Sequence, residues 1–558
     1  MPDVFGIGTS ALTSLQQAIT TTGQNIANVN TEGYSRQTVD FTTRTPERNG
    51  SYFLGSGTQI ANIEREYDRF LTQDVWNRTS SSAYYADLAT ASGRVDELLG
   101  DTTTGIGPAL SEFFAAMEAV ANSPTTLPER QVFLSEAETL SQRFEYIDTR
   151  LSEFQTELNV RITAAVEDVN QFATSIAELN EQISLQAAST NGSASSDLLD
   201  LRDQQVKQLS RLVGVTTQIQ EDGSLNVFIG KGQPLVVGST PNSLTAAPNT
   251  LQPGKLDVFL VSGTSGGQGN ITSLLSDGEL GAALDAGSEV IDQARRQIGL
   301  LAAGITITFN EIHQQGFDLN GNTGIQMFDP AATEPLINAD GSAGLTAAIN
   351  DISQLTGDNY RLNYTGVDFV LTNLTTRVSE VVVPTPDGTD LVIDKYGLEF
   401  RFDATPTAGD TYIVEPTGTS SSKFGLLIDD PSQVAADAGI EEPVGSGINV
   451  AAGPGDNRNI LELLALQDRG VLVDGATYFD LYTNTSSTVA VQTRRATTLA
   501  NTEASLLSSA ESRQGNLAGV NLEEEAANLI RYQQAYQAAA QVVKTAQEIF
   551  DTLIAATD

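Results

Sequence analysis

The chain has 558 residues, with 30 lysines and arginines against 70 aspartates and glutamates, a formal charge of −40, one histidine and no cysteine. That length accommodates two to four domains with their own cores, and the acidic balance repels nucleic acid and anionic membrane surfaces. Without cysteine there are no disulfides or thiolate metal sites, and a single histidine removes Ser-His-Asp and Cys-His arrangements anywhere but around position 313. No run approaches the ~20 apolar residues needed to span a bilayer, and the first residues lack the basic and apolar regions of a cleavable secretory signal. A dedicated export route that reads an uncleaved N-terminus leaves the same trace.

Near the N-terminus Leu12, Ile19 and Ile26 recur every seven residues, with Leu15, Thr22 and Val29 three positions along. That spacing predicts a coiled-coil helix whose apolar stripe needs another helix against it. Asn28-Val29-Asn30-Thr31-Glu32-Gly33-Tyr34-Ser35-Arg36 stops the helix, and residues 37–63 suit an extended arm with short strands. Helix is predicted again from residue 64 to 99, through Phe70, Leu71, Val75, Leu88, Val95 and Leu98. Residues 129–188 read as one long helix or two nearly continuous ones, with Phe144, Leu151, Leu158, Ala165, Phe172 and Leu179 spaced by seven. The flanking series slips by one residue between Phe154 and Ile162, which points to packing in a helical bundle.

From Val213 the period changes to two: Val215 and Ile219, a turn at Glu221-Asp222-Gly223, then Leu225, Val227 and Ile229 predict a hairpin. Helix is predicted from about 288 to 313, a second β-rich region over 355–420, and a Gly- and Pro-rich closure over 441–456. The remainder reads as helix with one break near 515–520. Its last part repeats the opening pattern, with Leu522, Leu529, Tyr536, Val543 and Phe550 in one series and Tyr532, Ala539, Ala546 and Leu553 in the other.

The expected fold is therefore mainly α with β insertions: discontinuous terminal coiled-coil helices, a long-helix bundle domain and outer β-rich domains. The expected division is an inner domain over 1–45 and 515–558 and a bundle over 46–212, 283–328 and 456–514. A β-containing insertion over 213–282 and an outer β-rich domain over 329–455 complete it. The expected assembly interface is Leu12, Leu15, Ile19, Ile26, Val29, Leu522, Leu529, Tyr532, Tyr536, Val543, Phe550 and Leu553. Each seam is expected to lack a partner until docking, leaving both ends poorly ordered in the free monomer.

No catalytic, cofactor or metal residue is expected. His313, at a helix end, reads as a packing or capping residue rather than a general base. Asp318, Asn320 and Asn322 echo the start of a calcium loop, but Thr323 stands where such a loop needs glycine and Asp329 where it needs glutamate, so a polar turn is the better reading. Glu523, Glu524 and Glu525 follow Asn521 at a helix start, where negative charge complements the helix dipole. The glycines at 263, 266, 267 and 269 read as a flexible loop.

Several segments resemble the hook-associated junction proteins of the bacterial flagellum, the FlgK family. Ser14-Leu15-Gln16-Gln17-Ala18, Asn25-Ile26-Ala27-Asn28 and Gly33-Tyr34-Ser35-Arg36-Gln37 are similar to the N-terminal motif shared by flagellar rod, hook and junction proteins. Asn521-Leu522-Glu523-Glu524-Glu525, Leu529, Tyr532-Gln533, Tyr536, Ala539-Ala540 and Thr545 resemble their C-terminal motif. Arg65-Glu66-Tyr67-Asp68, the run from Asp197 to Asp203, and Phe309-Asn310-Glu311-Ile312-His313 with Gly316 to Gly321 resemble the junction protein in particular. Ala408-Gly409-Asp410-Thr411-Tyr412 is similar to a short motif near the end of its outer domain. The resemblance implies a non-enzymatic structural protein joining hook to filament outside the cell, exported by the flagellar type III apparatus without a cleaved signal peptide. It implies as partners further copies of the chain, the hook protein, the second hook-filament junction protein and a dedicated export chaperone, with no nucleic acid and no membrane. Another axial component, such as a hook or distal-rod protein, shares both end motifs but not the internal segments. A wall-cutting hydrolase would need residues 330–450 to house it, where Asp and Glu show no helpful spacing.

Overall fold

A computed structural model of the chain describes residues 4–49, 52–101, 103, 105–189, 194–263, 266–388 and 390–557. The fold is mainly α with β-rich outgrowths. Helix α1 (Val4–Ala27) leads into an arm of two antiparallel ladders, β1 (Gln37–Thr43) with β4 (Thr58–Arg65) and, further out, β2 (Glu47–Asn49) with β3 (Tyr52–Leu54). The helix predicted from residue 64 starts later, as α2 (Arg69–Gly100). Asp68 sets that start, because its carboxylate accepts from the amides of Phe70 at 2.7 Å and Leu71 at 3.0 Å, leaving the β-branched run before it to pair as a strand.

Residues 101–128 contain α3 (Ile106–Asn122), an element not anticipated from the sequence. It buries Ile106, Leu110, Phe113, Phe114, Met117 and Val120. After it α4 (Leu127–Ser189) runs unbroken for 63 residues, about 95 Å at the usual rise. Its buried face takes two consecutive four-residue steps at Ile147, Leu151 and Gln155, and again at Ala165, Val169 and Ala173. The stripe therefore follows the 3.6-residue turn of a straight helix, and Phe172 and Leu179 sit at its margin while Ala173 and Asn180 are buried.

Helix α5 (Ser196–Leu212) precedes a β module with a four-stranded sheet, which opens with the predicted hairpin Val215–Ile219 and Leu225–Ile229, and a three-stranded sheet. Two asparagines of α4 hold it. The Asn180 amide donates to the carbonyls of Leu225 and Gly238 and accepts from the Leu225 amide, while Asn170 exchanges two bonds with the backbone of Leu244. A primary amide carries both donor and acceptor, so it substitutes for a neighbouring strand.

The helix predicted near 288 begins ten residues earlier, as α6 (Gly278–Asp285), a π turn at Ala286–Ile291 and α7 (Asp292–Gln315). Strands begin at Leu336, ahead of the predicted 355, and form two antiparallel sheets, of five and four strands. Phe402 packs between them, its ring centre 4.5 Å from that of Phe369 and 5.1 Å from that of Tyr412. This sandwich sits directly on α7: the Thr417 hydroxyl donates to the Arg296 carbonyl at 2.9 Å, and a Cβ on Gly299 would fall 1.9 Å from the Thr417 carbonyl oxygen. Only glycine permits that approach. Short helices α8 (Ser420–Lys423) and α9 (Arg458–Ala465) precede α10 (Tyr478–Ala518) and α11 (Leu522–Thr557). The final helical stretch is thus interrupted twice, at 466–477 as well as near the predicted 515–520, and a Thr477–Asp480 capping box restarts it at Tyr478.

His313 lies fully buried where α7 ends. Its Nδ1–H donates to the Ile325 carbonyl at 2.6 Å and its Nε2 accepts from the Ala435 amide at 2.9 Å, so one neutral ring ties two loops to the helix. Beside it Asp318 forms a polar turn, accepting from the amides of Asn320 and Asn322, each at 2.8 Å. Burial pushes the imidazole down to about 4. Between pH 4 and 6.5 the unfolded chain therefore binds a proton that the native ring does not, and stability falls as pH falls through that window. His313 is expected to account for about 3 kcal/mol of the loss. Urea melts at pH 7 and 4.5 should show a shallower pH dependence in His313→Gln than in the native chain; equal slopes would remove His313 as the cause.

Candidate assembly interface and its anchor

Helices α1 and α11 pair with each other inside one chain, so the expectation that each seam waits without a partner is corrected. They run antiparallel: Gly8 lies against Val543 and Asn25 against Glu525. A Cβ on Gly8 would fall 2.6 Å from the Val543 side chain, so this glycine sets how closely the two axes approach. The face that α1 buries is small and polar, comprising Gly8, Ser14, Ala18, Thr21, Thr22 and Asn25. Leu12, Leu15, Ile19 and Ile26 are half-buried on its flanks, while Val29, also half-buried, lies in the turn beyond the helix end and so falls outside the expected seam.

On α11 Leu529, Tyr532 and Val543 are half-buried together with Ala539 and Ala546, and the Tyr532 ring meets Phe41 of the arm at 6.1 Å. Leu522, Tyr536 and Phe550 are 50%, 37% and 62% exposed, and Ile530, Val542 and Ile549 join them at the surface. The side chain of Leu553 lies outside the described residues. The helix pair therefore carries two kinds of apolar surface, one closed within the chain and one open.

Both helices are fastened to the body by a polar network. Asn25 is buried and uses its whole amide: Oδ1 accepts from Tyr34 Oη at 2.8 Å and the Gln37 amide at 3.0 Å, while Nδ2 donates to the Gln37 carbonyl at 2.9 Å and to Glu525 Oε2 at 3.0 Å. Arg36 pairs with Glu524 at 2.9 Å and Glu525 at 3.2 Å, and its amide donates to the Ala518 carbonyl at the end of α10. One step further in, Arg65 forks onto Asp200 and Asp203, both at 2.8 Å, and stacks over Tyr67 at 4.1 Å. Asp200 also accepts from the Ser35 amide, and Asp197 from Gln37 Nε2. Burial pushes the Asp203 carboxyl up, against the pull of Arg65 and Arg202. Burial likewise raises the phenols of Tyr34 and Tyr67 to about 12, so both stay protonated, Tyr34 as the donor to Asn25. A cavity of about 120 Å³ beneath the network is walled in part by Tyr67, Asp203, Gln514 and Trp76.

The glutamates at the start of α11 thus do more than complement a helix dipole. Asn521 caps as expected, accepting from the Glu523 amide at 3.0 Å, but Glu524 and Glu525 are taken up by Arg36 and Asn25. The sequence signal for this was the polar Asn25 together with the Tyr34–Gln37 motif, which the apolar seam does not account for. Among the described residues no group of three or more His, Asp and Glu is arranged to hold a metal ion.

The Flagellar hook-associated protein FlgK helical domain matches residues 92–328, and the Flagellar hook-associated protein 1 D2-like domain matches 336–416. The ends match the Flagella basal body rod protein family over 5–34 and the basal body rod FlgEFG C-terminal family over 513–556. Flagellar hook-associated protein 1 of Escherichia coli K12 is 31% identical, over 99% of this chain and 100% of its own length. That of Salmonella typhimurium LT2 is 30% identical with the same coverage, and that of Bacillus subtilis 168 is 23% identical, over 98% of this chain and 96% of its own. The solved flagellar hook junction protein FlgK from Burkholderia pseudomallei shares the fold, with a TM-score of 0.73 and 22% identity, covering 80% of this chain and all of that one. Related along its whole length to such proteins, the chain belongs to the flagellar hook-associated protein 1 family, the structural proteins of the hook–filament junction.

Proposed function

We propose that the chain caps the distal end of the hook by packing its terminal helix pair against neighbouring copies and the hook protein, and presents a matching surface to the second junction protein. The observation that carries this reading is the open apolar surface on α11, where Leu522, Ile530, Val542, Ile549 and Phe550 are each at least 43% exposed. A monomer gains nothing by exposing so many large apolar side chains on one helix, and covering each contributes about 1.5–3 kcal/mol. Leu12, Leu15, Ile19, Ile26, Val29, Leu522, Leu529, Tyr532, Tyr536, Val543, Phe550 and Leu553 are the proposed interface. Residues 1–45 and 515–558 form the proposed inner unit, carrying outward a bundle over 46–212, 283–328 and 456–514, the insertion at 213–282 and the outer unit at 329–455.

In this reading the chain is not catalytic, binds no cofactor, and reaches the hook through the flagellar export route with a dedicated chaperone and no cleaved signal peptide. The anchor around Asn25 and Glu525 keeps the inner unit fixed to what it carries.

Full-length chain is expected to cap isolated hooks, counted by negative-stain microscopy, while a 36–514 fragment does not. Equal binding by the fragment would confine the seams to the monomer's own fold. Asn25→Ala leaves the buried Glu525 carboxylate and the Gln37 backbone without their partner, a loss on the order of 1–3 kcal/mol for each group. Limited proteolysis of that variant should release both ends at least tenfold faster while the Trp76 fluorescence of the body is unchanged; unaltered release would remove Asn25 from the anchor.

A further inference from the structure

Within the described residues α11 outlasts its partner in the antiparallel pair. With Gly8 against Val543, Val4 stands level with residue 547, and α11 continues about ten residues, some 15 Å, beyond that point. Its heptad continues too. Phe550 carries the seam onward with Ile549 beside it, and each is 62% exposed.

The arm leaves the helix pair at the same end. A Cβ on Gly57, at the foot of β4, would fall 3.4 Å from the Ile7 Cα, and beyond it the second ladder runs to the pair Asn49 and Tyr52. Successive strand residues point to opposite faces, yet Tyr52 is 58% and Phe53 71% exposed. Both faces of this tongue are therefore open, which suits insertion beside another surface rather than packing on its own chain. An isolated two-stranded ribbon with an aromatic on each side gains little by standing in water.

The charges at the two places are opposite. Arg44 and Arg48 outnumber Glu47 on the tongue and leave it net basic, while Glu548 and Asp551 make the last heptad of α11 acidic. A chain of net charge −40 repels its own copies, so a contact between copies favours the places where base meets acid.

We infer that the tongue of one copy docks on the last heptad of α11 in a neighbouring copy, Tyr52 and Phe53 covering Ile549 and Phe550. The inference rests on the junction reading above and names the contact that links copies to one another within it.

The absence of native cysteine makes the contact directly readable. Copies carrying Phe53→Cys and copies carrying Ile549→Cys are mixed, allowed to cap isolated hooks, and oxidised in air with copper–phenanthroline. The mixture is expected to give a disulfide-linked dimer at least tenfold above either variant alone. Capped hooks without that dimer would overturn the docking and leave the junction reading standing, as would a link that forms only when one chain carries both cysteines. Failure of the native chain to cap hooks would overturn the reading on which the inference rests. Independently, Tyr52→Ser with Phe53→Ser should lower capping at least tenfold at an unchanged melting temperature; unaltered capping would also overturn the docking.

Discussion

Asn25 and Glu525 lie 500 residues apart and share one hydrogen bond of 3.0 Å. Between them the chain leaves its terminal helix pair, builds every other element and returns, so that this bond and the Arg36 ion pairs beside it close the molecule. A carboxylate buried at this depth is tolerable only when its lone pairs are met, and here an amide and a guanidinium meet them. Loss of either partner strands a charge, which ties the placement of α11 to the placement of α1 more sharply than apolar packing between half-buried side chains would. The Arg65 fork on Asp200 and Asp203 repeats the arrangement one level inward and holds the arm to α5.

Polar groups also fix the two outgrowths. Asn170 and Asn180 dock the β module on α4 by completing strand edges, and the outer sandwich rests on α7 through Thr417 and the bare backbone of Gly299. In each case the apolar core provides the general attraction, and a directional bond or a missing side chain fixes the position.

The amphipathic periods were legible in the sequence, and with them the terminal helices, the helical run of α4 though not whether it was one helix or two, the first hairpin and the overall class. What escaped has physical causes. Helix α3 does carry a stripe at helical spacing, through Ile106, Leu110, Phe113, Met117 and Val120, but it is only 17 residues long and stands between two Thr-, Gly- and Pro-rich breaks that mask it. The start of α2 was misplaced because Asp68, a single capping residue, outweighs the periodic signal that spills back past it. On α4 the assumption of a strict seven-residue repeat assigned Phe172 and Leu179 to the seam, whereas the helix keeps its natural turn and buries Ala173 and Asn180 there. The anchor was present in the sequence only as motifs far apart, since nothing local says that Arg65 will meet Asp200 or that a helix-start glutamate will turn inward. The seam on α11 was read as one surface and proves to be two, because Leu522 and Tyr536 stay exposed alongside α1 while Leu529 and Val543 are half-buried.

The three chain segments that link the helix pair to the body, around residues 34–37, 65–68 and 518–521, cross at one level, and ion pairs and hydrogen bonds dominate the contacts there. Buried charged and amide groups hold their geometry, because turning one partner away leaves the other unmet in a dry site. Load passing from the hook to whatever lies beyond it must traverse that layer. The molecule therefore has little slack at its waist, and a twist applied to the helix pair is handed on to the bundle through those bonds.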